Sequence, residues 1–122
     1  MENNTIVYTR GNVLIVDFGN EKEGSEIQGK RPAILLQNDI GNTNSTTLIV
    51  APVTSKITIK RRTQPTHVFL PTNEGNLKKN SVVLLEQVVT IDKTRVQKSI
   101  GTLSNVYMGC IDKALKVSLG LS

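Results

Sequence analysis

Ser25, Glu26, Gln28, Lys30 and Arg31 are gathered between Gly24 and Pro32, just ahead of the apolar run from Ala33 to Leu36. A loop leading into a rigid strand can hold its polar groups out toward a ligand. A guanidinium offers paired planar donors that match two oxygens of a phosphate. Pro32 restricts Arg31 to extended backbone, which helps to aim the side chain. The set suits a phosphodiester; the plain alternative is a surface arginine at the start of a strand.

Thr54 closes a second apolar run, Ala51 to Val53, and its hydroxyl can donate to a phosphate oxygen. Ser55 is a weaker copy of the same idea, and Lys56 opens a basic segment with Lys60, Arg61 and Arg62. That segment reads either as a solvated hairpin tip or as a surface for an anionic partner. Metal-free cleavage of RNA needs a 2′-hydroxyl to lose its proton, the phosphorane charge to be stabilised and the leaving 5′-oxygen to be protonated. Arg31 is the best candidate for the second task. Arginine keeps its proton, so it is an awkward base; Glu26 could accept a proton or bond a base edge instead. Histidine is the usual acid/base candidate at neutral pH, but His67 lies in a short strand pattern, where a structural role is favoured. Glu86 and Gln87 follow an apolar strand pattern. A buried, unpaired Glu86 would be costly, so a partner such as an arginine is expected, with Glu86 orienting a site residue or holding an interface.

The formal charge of +5 on 122 residues favours an anionic partner. The length indicates one domain over 1–122. No apolar run approaches the ~20 residues of a membrane helix, and the polar N-terminus lacks a signal pattern, so a cytoplasmic location without membrane attachment is expected. One cysteine, Cys110, allows no intrachain disulfide, and core packing on a helix is its expected role. With a single histidine and no zinc-ligand spacing, no metal or other cofactor is called for. Walker, dinucleotide and Ser-x-x-Lys patterns are absent. Two Phe, two Tyr and no Trp leave few platforms for base stacking.

Strands are expected at Val13–Phe18, Arg31–Gln37, Thr46–Val53, Thr66–Leu70 and Ser81–Val89, with a last short one at Ile100–Leu103. Asn38–Ser45 reads as a turn or short helical loop, and the basic segment and Pro71–Asn80 as loops. Thr90–Arg95 suggests a capped helical turn, with Thr90 or Asp92 as the cap. A final helix should run from about Asn105 to Leu119, capped by Ser104, stopped by Gly120, and buried through Tyr107, Met108, Ile111, Leu115 and Leu119. The pattern implies a small, strongly bent sheet or partly open barrel.

In order and spacing, several blocks resemble the MazF/PemK family of toxin endoribonucleases. They are Gly24–Glu26 through Lys30–Pro32, Gln37–Asp39, Val50–Thr54, Pro65–Val68 and Ser81–Gln87, and the similarity runs from Arg10 to Leu121. The resemblance implies an α+β fold, an SH3-like antiparallel barrel with short helices and a C-terminal helix, working as a homodimer. It implies metal-independent cleavage of single-stranded RNA to 2′,3′-cyclic phosphate and 5′-hydroxyl ends, and a cognate antitoxin that blocks the groove with an acidic segment. The family's catalytic Arg and Thr fall on Arg31 and Thr54, and its RNA-contacting pairs on Ser25 and Glu26 and on Glu86 and Gln87. Gln28, Lys30, Ser55, Lys56 and His67 complete the expected substrate-binding set. Lys30 departs from the apolar residue common in relatives, and the loop from Thr54 to Pro65 is longer and more basic. The alternatives are a non-enzymatic toxin of this fold that inhibits a protein such as DNA gyrase, and a simple RNA-binding barrel.

Overall fold

The computed structural model describes residues 6–20, 24 and 28–121. Ser25 and Glu26, both expected at the site, lie outside the described residues.

The spine of the sheet is β3 (Thr47–Thr54), whose apolar, β-branched run suits a strand buried on both faces. One edge pairs antiparallel with β2 (Lys30–Leu35), from Leu35 opposite Val50 to Ala33 opposite Pro52. The other edge serves two strands in turn. Thr47–Val50 pair with β6 (Val89–Asp92), and Val53 and Thr54 pair with β5 (Ser81–Leu84). Beyond β2 lie β1 (Asn12–Asp17) and β7 (Val96–Thr102), and β4 (His67–Leu70) flanks β5. Sharing an edge in this way bends the sheet, giving the expected small α+β barrel.

Each face of the bent sheet carries its own core. Val13, Ile34, Ala51, Val53, Val68, Leu70 and Val83 pack on one face, closed by Ile111 and Ala114 of the C-terminal helix α3 (Asn105–Leu119). Leu14, Val16, Ala33, Leu35, Leu48, Val50 and Ile91 pack on the other. Arg10 ties α3 to the sheet, its guanidinium donating to the Leu36 carbonyl and to Asp112, each at 2.7 Å. The tripeptide Gln37, Asn38 and Asp39 serves the fold. Asn38 caps the short helix α1 (Asp39–Asn44), the Asp39 carboxylate accepts from the Arg10 N–H, and Gln37 donates to the Thr47 carbonyl.

Several expectations need correction. The long strand expected over Ser81–Val89 is broken by a 3₁₀ turn at Leu85–Gln87. Leu85 is fully buried, its N–H donates to the Thr66 carbonyl, and its own carbonyl accepts from the Ser118 hydroxyl. The chain sidesteps there because β5 and β6 occupy different stretches of the same β3 edge. Thr90 lies in β6, so Asp92 is the cap, accepting from the Thr94 N–H at 2.9 Å over a 3₁₀ turn at Lys93–Arg95. That hydrogen bond holds the Asp92 carboxyl below its ordinary pKa. The basic loop contains a helical turn, α2 (Ile59–Thr63), capped by Thr58. The last strand starts at Val96 rather than Ile100, its polar half forming a bulged edge against β1.

Helix α3 has the expected limits, and Gly120 at φ 73° closes it with bonds to the Lys116 and Val117 carbonyls. Ser104 occupies the cap position without a side-chain cap bond; its N–H donates to Glu74 instead. Cys110, expected in the core, is exposed. The buried row runs through Ile111 and Ala114, which turns Cys110 outward and leaves Leu119 57% exposed.

Candidate functional site

Strands β2 and β3 part company after Ala33 and Pro52. β3 then turns to β5, while Arg31 stays on β2 opposite Val16 of β1. Continued two residues beyond its last pair, the β2–β3 register sets Arg31 across from Thr54. Residues opposite one another in antiparallel strands project to the same face, so the guanidinium and the hydroxyl share one side of the splay. The cross-strand row from Thr54 runs to Val82 and Phe69, and His67 lies two residues along the same face.

Local bonds fix both residues. The Arg31 Nε donates to the Gln28 carbonyl at 2.7 Å, which orients the planar fork while its terminal NH₂ groups take no partner among the described residues. Thr54 is only 3% exposed, and its Oγ1 accepts from the Lys56 N–H at 3.1 Å. Its hydroxyl proton has no acceptor among the described residues.

From Thr54 a chain of bonds runs along the basic segment. Arg61 Nη1 donates to the Lys56 carbonyl at 2.7 Å, and the Arg61 carbonyl lies 2.8 Å from His67 Nδ1. His67 Nε2 is 2.9 Å from Glu86 Oε2. The other Glu86 oxygen accepts from the Thr66 hydroxyl. Glu86 therefore pairs with His67, where an arginine was expected, and its side chain remains 42% exposed. Arg62 turns back over the Phe69 ring, 4.7 Å from its centroid, so the basic segment is partly built into the fold.

Gln28, Lys30, Arg31 and Ser55 line one cavity of about 780 Å³. Thr54, Lys56, His67, Glu86 and Gln87 lie outside its lining. The cavity also brings in Lys78, Lys79 and Lys98, which sequence reasoning passed over. Lys78 and Lys79 form a visible basic pair, but Lys98 becomes their neighbour only through the pairing of β7 with β1. Among the described residues the lining holds no carboxylate. Among the described residues no cluster of three or more His, Cys, Asp or Glu could hold a metal ion, and no helix is long and apolar enough to cross a membrane.

Fold and site define a compact antiparallel barrel with cations lining its groove. The chain belongs to the PemK-like, MazF-like toxins of type II toxin–antitoxin systems, whose family model matches residues 9–119. Among solved structures it is similar to MazF from Deinococcus radiodurans, with a TM-score of 0.79 and 24% identity over 96% of this chain and 100% of that one. It is also similar to an endoribonuclease in complex with its cognate antitoxin from a Mycobacterial species, with a TM-score of 0.77 and 23% identity over 94% of this chain and 97% of that one. A third is Mycobacterium tuberculosis toxin MazF-mt6, with a TM-score of 0.72 and 21% identity over 91% of this chain and 98% of that one.

Proposed function

We propose that this toxin is a sequence-specific endoribonuclease that cuts single-stranded RNA without a metal and so inhibits translation and growth. In this reading the 2′-oxygen gives up its proton to a base, for which Glu26 is the candidate, and bonds to phosphorus. The bond from phosphorus to the 5′-oxygen then breaks, its electron pair leaves with that oxygen, and the oxygen takes up a proton. The products are a 2′,3′-cyclic phosphate and a 5′-hydroxyl. Arg31 stabilises the phosphorane through its fork and, by donating a hydrogen bond to the leaving oxygen, assists its protonation by water. Thr54 positions the scissile phosphate through its free hydroxyl proton. Gln28, Lys30, Ser55 and Lys56 hold the strand, together with Ser25 and Glu26 of the loop. Glu86 and Gln87 contact bases, with His67 orienting Glu86.

The observation that carries this reading is the position of Arg31 across from Thr54, at the mouth of a cation-lined cavity. In the same reading the toxin works as a homodimer in the cytoplasm, held in check by a cognate antitoxin with an acidic segment; its membership of a type II toxin–antitoxin family supports the antitoxin. The test is incubation of the purified protein with mixed-sequence RNA in EDTA, followed by mapping of the ends. Discrete cuts with 5′-hydroxyl ends are expected. Intact RNA, or cutting that requires an added divalent ion, would overturn the reading.

A further inference from the structure

Lys78 and Lys79 are held in place by backbone. Gly101 of β7 lies so close to Gly75 that a Cβ there would run into the Gly75 carbonyl. Asn76 Nδ2 donates to the Ile100 carbonyl at 2.7 Å, and the Ser104 N–H donates to Glu74 at 2.7 Å. These ties root the loop before β5 on β7, so that Lys78 and Lys79 share a cavity with Lys98. None of the three has an ion-pair partner among the described residues. Like charges gathered with no carboxylate among the described lining residues repel one another, and a polyanion relieves that repulsion.

Arg31 of the proposed cleavage site also lines this cavity. Lys30 and Arg31 are neighbours on β2, and alternation along a strand sends their side chains to opposite faces. The strand thus offers one cation toward Thr54 and the next toward the lysines. Resting on the nuclease reading, we propose that Lys78, Lys79 and Lys98 form a subsite for RNA phosphates flanking the one held by Arg31. Ile15, Pro32 and Val53 give bases an apolar surface, while Asn76 beside the lysines already donates to the Ile100 carbonyl and Ser81 to the Lys79 carbonyl. Lysines neutralise phosphates as point charges and carry no sequence information. The regular charge of an RNA strand matches such a wall, whereas protein carboxylates would have to be placed one by one. The subsite therefore adds affinity irrespective of sequence, and base reading is left to the other face.

The probe is single-stranded 2′-O-methyl RNA, which lacks the attacking hydroxyl, so fluorescence anisotropy reads binding alone. Lys79→Gln, Lys98→Gln and the double variant are compared with Lys113→Gln, an exposed α3 position that removes the same charge outside the cavity. Exposed substitutions of this kind rarely perturb folding. Each cavity variant is expected to weaken long RNA roughly 3- to 10-fold and to reduce the salt slope by about 0.7 per lysine, beyond the control. An RNA too short to reach past Arg31 should bind all variants alike. Cavity variants that match the control on long RNA would overturn the subsite. So would variants that lose only an acidic antitoxin segment, which would assign the surface to a protein. Should the wild-type protein leave ordinary RNA uncut yet show the lysine dependence, the subsite stands and the nuclease reading falls. Cutting by the wild type, with cavity variants indistinguishable from the control, removes the subsite alone.

Discussion

Arg31 faces Thr54 across the gap where β2 and β3 separate, two residues past the last ladder pair of Ala33 and Pro52. A residue on a paired strand is held by its neighbours, while the gap beside it leaves room for a ligand. Arg31 is held in the sheet by its backbone pairing with Val16, so removing its side chain, and with it only the Nε bond to the Gln28 carbonyl, should leave the fold intact. Arg31→Ala is expected to cut the cleavage rate about 10²–10³-fold, the cost of one charge-stabilising donor set. Arg31→Lys should recover little, because an ammonium lacks the planar fork. Single-turnover cleavage together with a thermal melt checks both; full activity in the alanine variant would remove Arg31 from the mechanism.

Thr54 carries two loads that substitution can separate. Its Oγ1 accepts the Lys56 N–H, and its hydroxyl proton is left for a ligand. Thr54→Val keeps the shape and loses both, so it should cost about 1–3 kcal/mol of stability as well as activity. Thr54→Ser keeps both polar functions and should retain most cleavage. Urea melts and cleavage rates on the two variants decide the matter. A valine variant that cuts as fast as wild type would show that Thr54 only supports the strand.

Strands β1, β2 and β3 were legible because their apolar and β-branched runs are bounded by polar turns, and α3 because its cap position and Gly120 mark its ends. The break at Leu85 was not, since an apolar run looks the same whether it stays in one ladder or changes partner along an edge. Val96 to Ser99 escaped notice because an exposed edge strand need not be apolar. At the site, Arg31 and Thr54 stood out through residue type and neighbouring sequence. The lysine wall did not, because Lys98 meets Lys78 and Lys79 only through β7 pairing and the Gly75–Gly101 approach. Cys110 and Leu119 were misplaced because the helical period alone could not say that Ala114 marks the buried row.

The His67 ring lies between two acceptors, the Arg61 carbonyl and the Glu86 carboxylate, and its side chain is 8% exposed. It fastens α2 to the turn that carries Glu86 and Gln87. His67→Ala should cost about 1–3 kcal/mol through the groups it leaves unpaired. Hydrogen exchange should quicken at Arg61–His67 before it does so in β3. Exchange unchanged in that segment would mean that the ring does not hold it.

Asp92 gives an acid-sensitive element remote from the cleavage chemistry. Its carboxyl is held below its ordinary pKa by the Thr94 hydrogen bonds. A depressed folded-state value contributes stability above the unfolded pKa, and that contribution disappears as pH falls through the folded one. Asp92→Asn keeps a capping oxygen without the titration. It should therefore flatten the acid limb of the stability profile, measured by urea melts across the carboxylate range. An unchanged acid limb would show that Asp92 does not contribute to it.

Gly75 and Gly101 bring the backbones of the lysine-bearing loop and β7 close together. Gly75 has φ +58°, and a Cβ there would come within 2.6 Å of the Val13 side chain. At Gly101 the obstacle is the Gly75 backbone, which cannot rotate aside as a side-chain end could. Gly101→Ala should therefore push the loop off the strand, breaking the Asn76 bond to the Ile100 carbonyl, at a cost of about 1–3 kcal/mol. Asn76→Ala tests the same attachment with no added bulk and should cost about 1 kcal/mol. Both variants should speed amide exchange over Glu74–Lys79 while leaving β2 and β3 protected. Should Gly101→Ala melt like wild type with that loop still protected, the close backbone approach would not be what fixes the lysine wall.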